Sequence, residues 1–406
     1  MINQYLNILR SAIWGKETSM VSSIDYNQVI RLAQIQGTGP LCYNELLKIP
    51  KGEGGLTSVN DGEDGMNDAI RMQLKQVCMQ NMLLQQRWSH VIEQVWTALQ
   101  PLSVKPVLLK GFALAELYPL PYLRAWGDLD VWVGIDDYHK ACELLRATFP
   151  DAEHNEEEDE DFKHYCFVLP DGATIEVHRV TMEFASRADW EYYHGLEQEG
   201  MIGGPSFRVG NTEVYSPKDD FNLLFVFLHA WEHFTTSGMS MKLVADMTLL
   251  AHYVYGIESE SIRKEIEDYL RPSLKRLHVW EVWQMVGYVA IHTLNLPENE
   301  WPLYTEETKE EGRREKDGER LMAKILEEGQ SRKRTIAFGA KTQEEAAEIA
   351  RHLPVLKRKW ITLVSRWNSY KDLRVYAPEY AWHELKANLW RGIDRTIHRK
   401  AMAKYF

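Results

Sequence analysis

The first hundred residues repeat apolar positions at three- and four-residue spacing, the period of an amphipathic helix, through Tyr26–Ile35 and Met66–Leu99. Within the second stretch Leu84, Trp88, Val91, Ile92, Val95 and Leu99 fall on one stripe, which predicts a helix facing a core. Between the two, Lys51–Gly65 is rich in Gly and Asp and reads as a loop. The period changes at Val104. Val104–Leu109 is a short aliphatic run ending at Lys110-Gly111, and Phe112–Tyr118 returns to helical spacing, so a strand, a glycine turn and a helix are expected in that order. Pro119 and Pro121 stop the helix because proline donates no backbone bond. Leu129–Val133 reads as a second strand. Asp137–Thr148 reads as a helix, with Tyr138, Ala141, Cys142, Leu144 and Leu145 on one face.

Alternation around turn residues predicts two hairpins. Tyr165–Leu169 and Thr174–Val180 flank Pro170-Asp171-Gly172, and Ser206–Val209 and Thr212–Tyr215 flank Gly210-Asn211. From Ser216 to the end the pattern is helical. Ser216-Pro217-Lys218-Asp219 reads as a helix start, with Ser216 as cap, and Phe221–Phe234 carries aromatics on several sides, as a buried helix does. Glu306–Arg334, charged and punctuated by glycine, reads as an exposed or flexible region. The expected fold class is α+β: a helical region over 1–103, a small mixed sheet with helices over 104–215, and a helical region with a basic tail over 216–406.

A length of 406 residues with 45% apolar and 26% charged residues is that of a globular chain of more than one small module. Cys42, Cys78, Cys142 and Cys166 show no paired spacing, which argues against a zinc knuckle or disulfide framework and for reduced thiols. The start lacks a basic segment followed by an apolar run, and no stretch reaches the ~20 apolar residues of a membrane span. A cytoplasmic protein without membrane contact is expected. The net charge of −12 disfavours general nucleic-acid binding, which rests on neutralising phosphates. Residues 351–406, with 13 Lys/Arg against 4 Asp/Glu, are the exception. Lys357-Arg358-Lys359-Trp360, Arg366-Trp367 and Arg391 there offer charge and stacking to a nucleic acid or acidic partner, or simply form a wet helix face. Asp151–Asp161, eight carboxylates in eleven residues, reads as a solvated loop.

The chemistry concentrates in Arg124-Ala125-Trp126-Gly127-Asp128-Leu129-Asp130. Side chains alternate on a strand, so Asp128 and Asp130 share one face while Leu129, Val131 and Val133 take the other. Two carboxylates held side by side raise each other's pKa unless a cation lies between them. In Thr174-Ile175-Glu176-Val177-His178, Glu176 and His178 again share a face, so Glu176 supplies a third carboxylate if the strands are neighbours. Three carboxylates suffice to hold two divalent ions for an in-line phosphoryl transfer.

Lys110-Gly111, Arg124, Gly127-Asp128-Leu129-Asp130 and Glu176-Val177-His178, with His229 and His233 on a later helix, resemble the uncharacterised bacterial nucleotidyltransferase family of the DNA polymerase β-like superfamily. The likeness runs from about residue 25 to 300. It implies transfer of a nucleoside monophosphate from a triphosphate, ATP by expectation, to an acceptor hydroxyl, with Mg²⁺ or Mn²⁺ as cofactor; a small molecule, a protein side chain and an RNA end all stay open as the acceptor. By the same likeness Asp128, Asp130 and Glu176 are the catalytic metal ligands, with Glu176 alternatively the base for the acceptor, and Lys110, Gly111, Arg124 and Gly127 bind the nucleotide. His178, His229, His233 and Asp246 stand behind them. The superfamily has Gly followed by Ser or Gly at its phosphate turn. This chain has Gly111-Phe112, with sixteen residues between Gly111 and Asp128. Two other readings remain open: a regulatory protein that binds nucleotide and metal without chemistry, and a phosphohydrolase using a metal on His229, His233 and Asp246.

Overall fold

The computed structural model describes residues 2–16, 24–49, 66–125, 127–154, 163–304, 311–329 and 354–397. The expected loop at Lys51–Gly65 and most of the acidic run lie outside them. Four helices open the chain: α1 (Ile2–Trp14), α2 (Tyr26–Ile35), α3 (Gly39–Lys48) and α4 (Asp68–Leu99). Asp25 and Asn67 cap α2 and α4 by accepting the amides of Gln28 and Ile70. The predicted stripe is the C-terminal half of α4. Trp88, Val91, Ile92, Val95 and Leu99 are buried there, and Leu84 partly so.

The sheet has six strands: β1 (Val107–Leu109), β2 (Asp128–Trp132), β3 (His164–Val168), β4 (Thr174–His178), β5 (Ser206–Val209) and β6 (Thr212–Tyr215), in the spatial order β3-β4-β2-β1-β6-β5. Both hairpins form as the turn residues dictate, with Gly210 at φ +59° in the second. Strand β1 is shorter than the apolar run suggests: Pro106, which has no N–H to donate, precedes it and the pairing starts at Val107. Helix α5 (Gly111–Ala115) is shorter than expected too, and α6 (Gly134–Thr148) begins three residues earlier than the apolar face alone marks. Helix α7 (Arg187–Gly200), capped by Ser186 onto the amide of Asp189, was not legible in the apolar pattern.

One face of the sheet is apolar. Leu108, Leu129, Val131, Tyr165, Phe167, Ile175 and Val177 pack there against α4 and α6. The other face turns toward α8 (Asp219–Thr236), α9 (Met241–Ala251), α10 (Glu260–Arg276) and α11 (Trp280–Leu294). Val107, Leu109 and Trp132 join that second core, which runs from Tyr5 on α1 to Ala381, so the first and last of the described helices share one core. Gln36 is one polar pin of this assembly: its side-chain amide donates to the Ile325 and Leu326 carbonyls (2.9 and 3.2 Å) and its oxygen accepts the Met241 amide at 2.8 Å.

Two expectations change. Lys218 is the boundary residue of α8, and Ser216 does not cap it but donates its hydroxyl to the Pro205 carbonyl. Within Glu306–Arg334, residues Glu311–Glu328 form helix α12. Leu321, Ile325 and Leu326 are buried, and Gly318 lies where a Cβ would come 2.5 Å from the Tyr288 ring, so the missing side chain lets α12 close on α11. The charged residues hid a narrow apolar stripe. The described residues end in α13 (Val355–Leu373) and α14 (Pro378–Ile397). No helix among the described residues is long and apolar enough to cross a membrane.

Candidate active site

Strand β2 lies between β1 and β4, and this placement builds the site. Leu109 and Glu176 flank Asp130 in register, β4 running parallel to β2 and β1 antiparallel. Residues paired across a ladder point to the same side, so Asp128, Asp130, Glu176 and His178 all face the helical half of the molecule. The sheet thus sets the carboxylates of β2 and β4 on one face, with Glu176 directly beside Asp130.

Asp130 is buried and holds two partners on one oxygen: the Lys110 ammonium lies 2.9 Å and His178 Nε2 2.8 Å from Oδ1. The same His178 nitrogen is 3.3 Å from Glu176 Oε2. Because both neighbours accept, this nitrogen carries the proton. Burial by itself would raise the Asp130 pKa, but the Lys110 charge and His178 overcome it and hold the carboxyl well below its usual range. Burial likewise opposes ionisation of His178 and Lys110, and the surrounding carboxylates reverse it, so both are raised. Glu176, pushed up by burial, is pulled below the ordinary value by the His178 hydrogen bond.

Asp128 behaves differently. Burial and then the charge of Asp130 raise its pKa, more than Lys110 lowers it. It has no ion pair among the described residues, and donor atoms of Asp130, Glu176 and His178, without Asp128, are those that lie within 4.8 Å of one another. Asp128 instead opens on a cleft of about 230 Å³ between the sheet and α8 and α9, with Lys110, Gly111, Asp130, His229, His233 and Lys242 among its lining residues. Glu176 and His178 sit beside Asp130 and off this lining.

The backbone at Lys110 adopts φ +46° and ψ −129°, a conformation L side chains rarely take, which costs about 1–3 kcal/mol. Gly111 follows at the start of α5, a helix of only five residues. Gly127 is exposed and off the cleft lining, and a Cβ there would meet nothing.

Arg124 lines the cleft but makes a forked pair with Asp246, Nε to Oδ1 at 2.7 Å and Nη2 to Oδ2 at 2.6 Å, and Tyr118 donates to Oδ1 at 2.8 Å. Both ends are buried, and only Nη1 of the guanidinium lacks a partner among the described residues. His229 and His233 stand one turn apart on α8, ring centroids 4.5 Å apart, and His233 Nδ1 is 2.9 Å from the Ser237 hydroxyl. Burial, then Lys110, pushes both imidazoles below their ordinary pKa, so they are neutral groups facing a positive wall. Neither joins Asp246 in a converging ligand group among the described residues.

Lys242, on the first turn of α9, was missed by sequence reasoning. Its pKa is lowered by burial and then by Arg124, and it has no ion pair among the described residues. The signal was there: Lys242 and Asp246 stand four residues apart, on one face of a helix.

A family model described as an uncharacterised nucleotidyltransferase matches residues 22–270, which takes in the whole sheet, the cleft and α8 and α9. The chain belongs to this family. Searches of curated proteins and of solved structures returned no match. In this nucleotidyltransferase-family chain, α11 to α14 lie beyond the matched stretch. On α13 Trp360 and Trp367 are exposed, as is Lys357, while Arg366 donates to the Asn388 carbonyl of α14 at 2.7 Å and so serves the helix pair. The side chains of Arg358, Lys359 and Arg391 lie outside the described residues.

Proposed function

We propose that the cleft binds the phosphates of a nucleoside triphosphate, ATP by expectation, and transfers its nucleoside monophosphate to an acceptor hydroxyl. The observation that carries this reading is the in-register pairing of Asp130 with Glu176, with Asp128 on the same face toward a cleft walled by Lys110 and Lys242. The site's residues fit a divalent metal: the acidic oxygens are of the hard type Mg²⁺ or Mn²⁺ prefers, and Asp128, whose pKa is raised by burial and then by the charge of Asp130, has no ion pair among the described residues. Asp128, Asp130 and Glu176 would hold such a metal, which would supply charge neutralisation and a more acidic acceptor hydroxyl.

The chain's own groups do the rest. Lys110, fixed by its strained backbone and by Asp130, offers a point charge at the cleft floor. Lys242 lines the same cleft from α9 with no ion pair among the described residues, and a phosphate oxygen would satisfy its charge. His178 holds Asp130 and Glu176 by one shared proton and so fixes the spacing of two ligands. Arg124 acts chiefly on Asp246, which keeps α9 against the sheet. The cleft, at about 230 Å³ below the roughly 300–1,000 Å³ of small-molecule sites, suits a phosphate chain with the base and acceptor lying at its mouth.

The hydrolase reading loses its third ligand to Arg124 and Tyr118. A binder without chemistry keeps one observation in its favour, the Lys110 ion pair on Asp130, and pyrophosphate release measured beside nucleotide binding separates it from a transferase. The test of transfer is incubation with labelled triphosphates, Mg²⁺ and a cell extract. Label should pass to an acceptor with the natural chain and fall at least about 100-fold with the Asp128→Ala, Asp130→Ala double variant, in line with removal of groups that act on the transition state. Equal labelling by both proteins defeats the proposal.

A further inference from the structure

Next to the carboxylate face, on the outer strand β3, a second set of donors converges. His164, Cys166 and Glu176 place one ligand atom each within 4.8 Å of one another, and His164 Nε2 is 3.9 Å from Glu176 Oε1. The arrangement follows from strand geometry. His164 and Cys166 are two residues apart and so on one face, and Cys166 pairs in register with Glu176 across the hairpin. Two ligands at i and i+2 with a third across the ladder make a tripod. All three side chains are half-buried, within reach of an ion from solvent. Cys42, Cys78 and Cys142, in contrast, are buried.

We propose that His164, Cys166 and Glu176 form a site for a thiophilic divalent cation of the zinc type, beside the proposed hard-metal position at Asp128 and Asp130 and sharing Glu176 with it. The donor set decides the class. One thiolate, one imidazole and one carboxylate suit zinc and discriminate against magnesium, which takes oxygen ligands at octahedral geometry. Three protein ligands leave the fourth position of a tetrahedron to water, the arrangement of zinc sites that keep one coordination position open. Binding is a ligand exchange without redox: the metal–sulfur bond forms as the Cys166 thiol gives its proton to solvent, so affinity rises with pH.

Glu176 faces both groups, one oxygen toward His164 and the other toward His178. A soft ion on the tripod therefore draws this carboxylate away from Asp130. That consequence, metal-controlled restraint of transfer, rests on the reading of the cleft given above; the site itself does not.

The experiment is a titration of the full-length, chelator-treated protein with Co²⁺, followed by Zn²⁺ displacement. One equivalent of Co²⁺ should produce a thiolate-to-cobalt absorption band that Zn²⁺ removes. Cys166→Ser should abolish the band, and His164→Gln or Glu176→Gln should weaken cobalt affinity by at least the roughly 10–100-fold that losing even an outer partner of a metal ligand costs. Asp130→Asn, outside the tripod, should retain the band, with circular dichroism confirming that each variant is folded. Absence of the band, its survival in Cys166→Ser, or unchanged affinity in both His164→Gln and Glu176→Gln overturns the site. In the labelling assay, zinc should suppress transfer by the natural chain and spare Cys166→Ser; equal suppression of the two overturns the restraint. A protein that labels nothing in any form counts against the catalytic reading, and the cobalt titration decides the site regardless.

Discussion

Asp130 and Lys242 illustrate opposite solutions to one problem, a charge removed from water. Asp130 is matched by Lys110 at 2.9 Å and His178 at 2.8 Å, and its ionised form is favoured in spite of burial. Lys242 is not matched, and burial with Arg124 nearby depresses its pKa. A cation whose folded-state pKa is depressed contributes instability, because the unfolded chain carries the charge more easily. Lys242→Met, similar in length and uncharged, is therefore expected to raise the melting temperature while raising the KM for triphosphate about tenfold, the equivalent of about 1.4 kcal/mol. Thermal melts and initial rates check the pair of effects. A variant that melts lower and binds triphosphate as before would show that Lys242 is a packing residue.

At the scale of elements, the site depends on how α9 is held against the loop before β2. Arg124, at the exit of the 3-10 turn Pro121–Leu123, and Asp246, on α9, are 3% and 1% exposed at their side chains and joined by a forked pair. Breaking a buried pair from one end leaves the other charge uncompensated, at about 3–5 kcal/mol. Arg124→Met should accordingly lower stability by that amount in urea unfolding, and Arg124→Met combined with Asp246→Leu should recover much of it. If the single variant unfolds like the natural chain, the pair is not what fixes α9. Forked recognition of an acidic group was foreseeable from the residue type of Arg124, but its partner, 122 residues on, was not.

For the molecule as a whole, imidazoles of opposite tendency stand on α8, lining the cleft, and on β4, beside it. His229 and His233 are lowered by burial, so their neutral forms stabilise the fold above the unfolded histidine pKa of about 6.5, and this contribution is lost as pH falls below it. His178 is raised by Asp130 and Glu176, so its contribution is present below about 6.5 and disappears as pH rises through its higher folded value. Asp130 and Glu176, both lowered, lose theirs only at still more acid pH. Unfolding midpoints should therefore drop between about pH 7 and about pH 5 in the natural chain and drop less in a His229→Gln, His233→Gln double variant. Parallel curves for the two proteins would remove the burial of these imidazoles as the cause of acid sensitivity.

The sequence by itself determined the features that depend on neighbours along the chain. Alternation put Asp128 with Asp130 and Glu176 with His178, turn residues placed both hairpins, and helical spacing marked the buried stripe of α4. These are local consequences of periods of 2 and 3.6. Tertiary structure decided which strands adjoin, and so that Glu176 pairs with Asp130 and that Arg124 turns to Asp246 instead of a strand carboxylate. It also decided that Cys166 stands opposite Glu176 and that a charged stretch folds as α12 because a glycine fits against Tyr288. The physical reason is the same in each case: register and close approach are fixed by packing across the sheet and between helices, and no period along one segment encodes its partner.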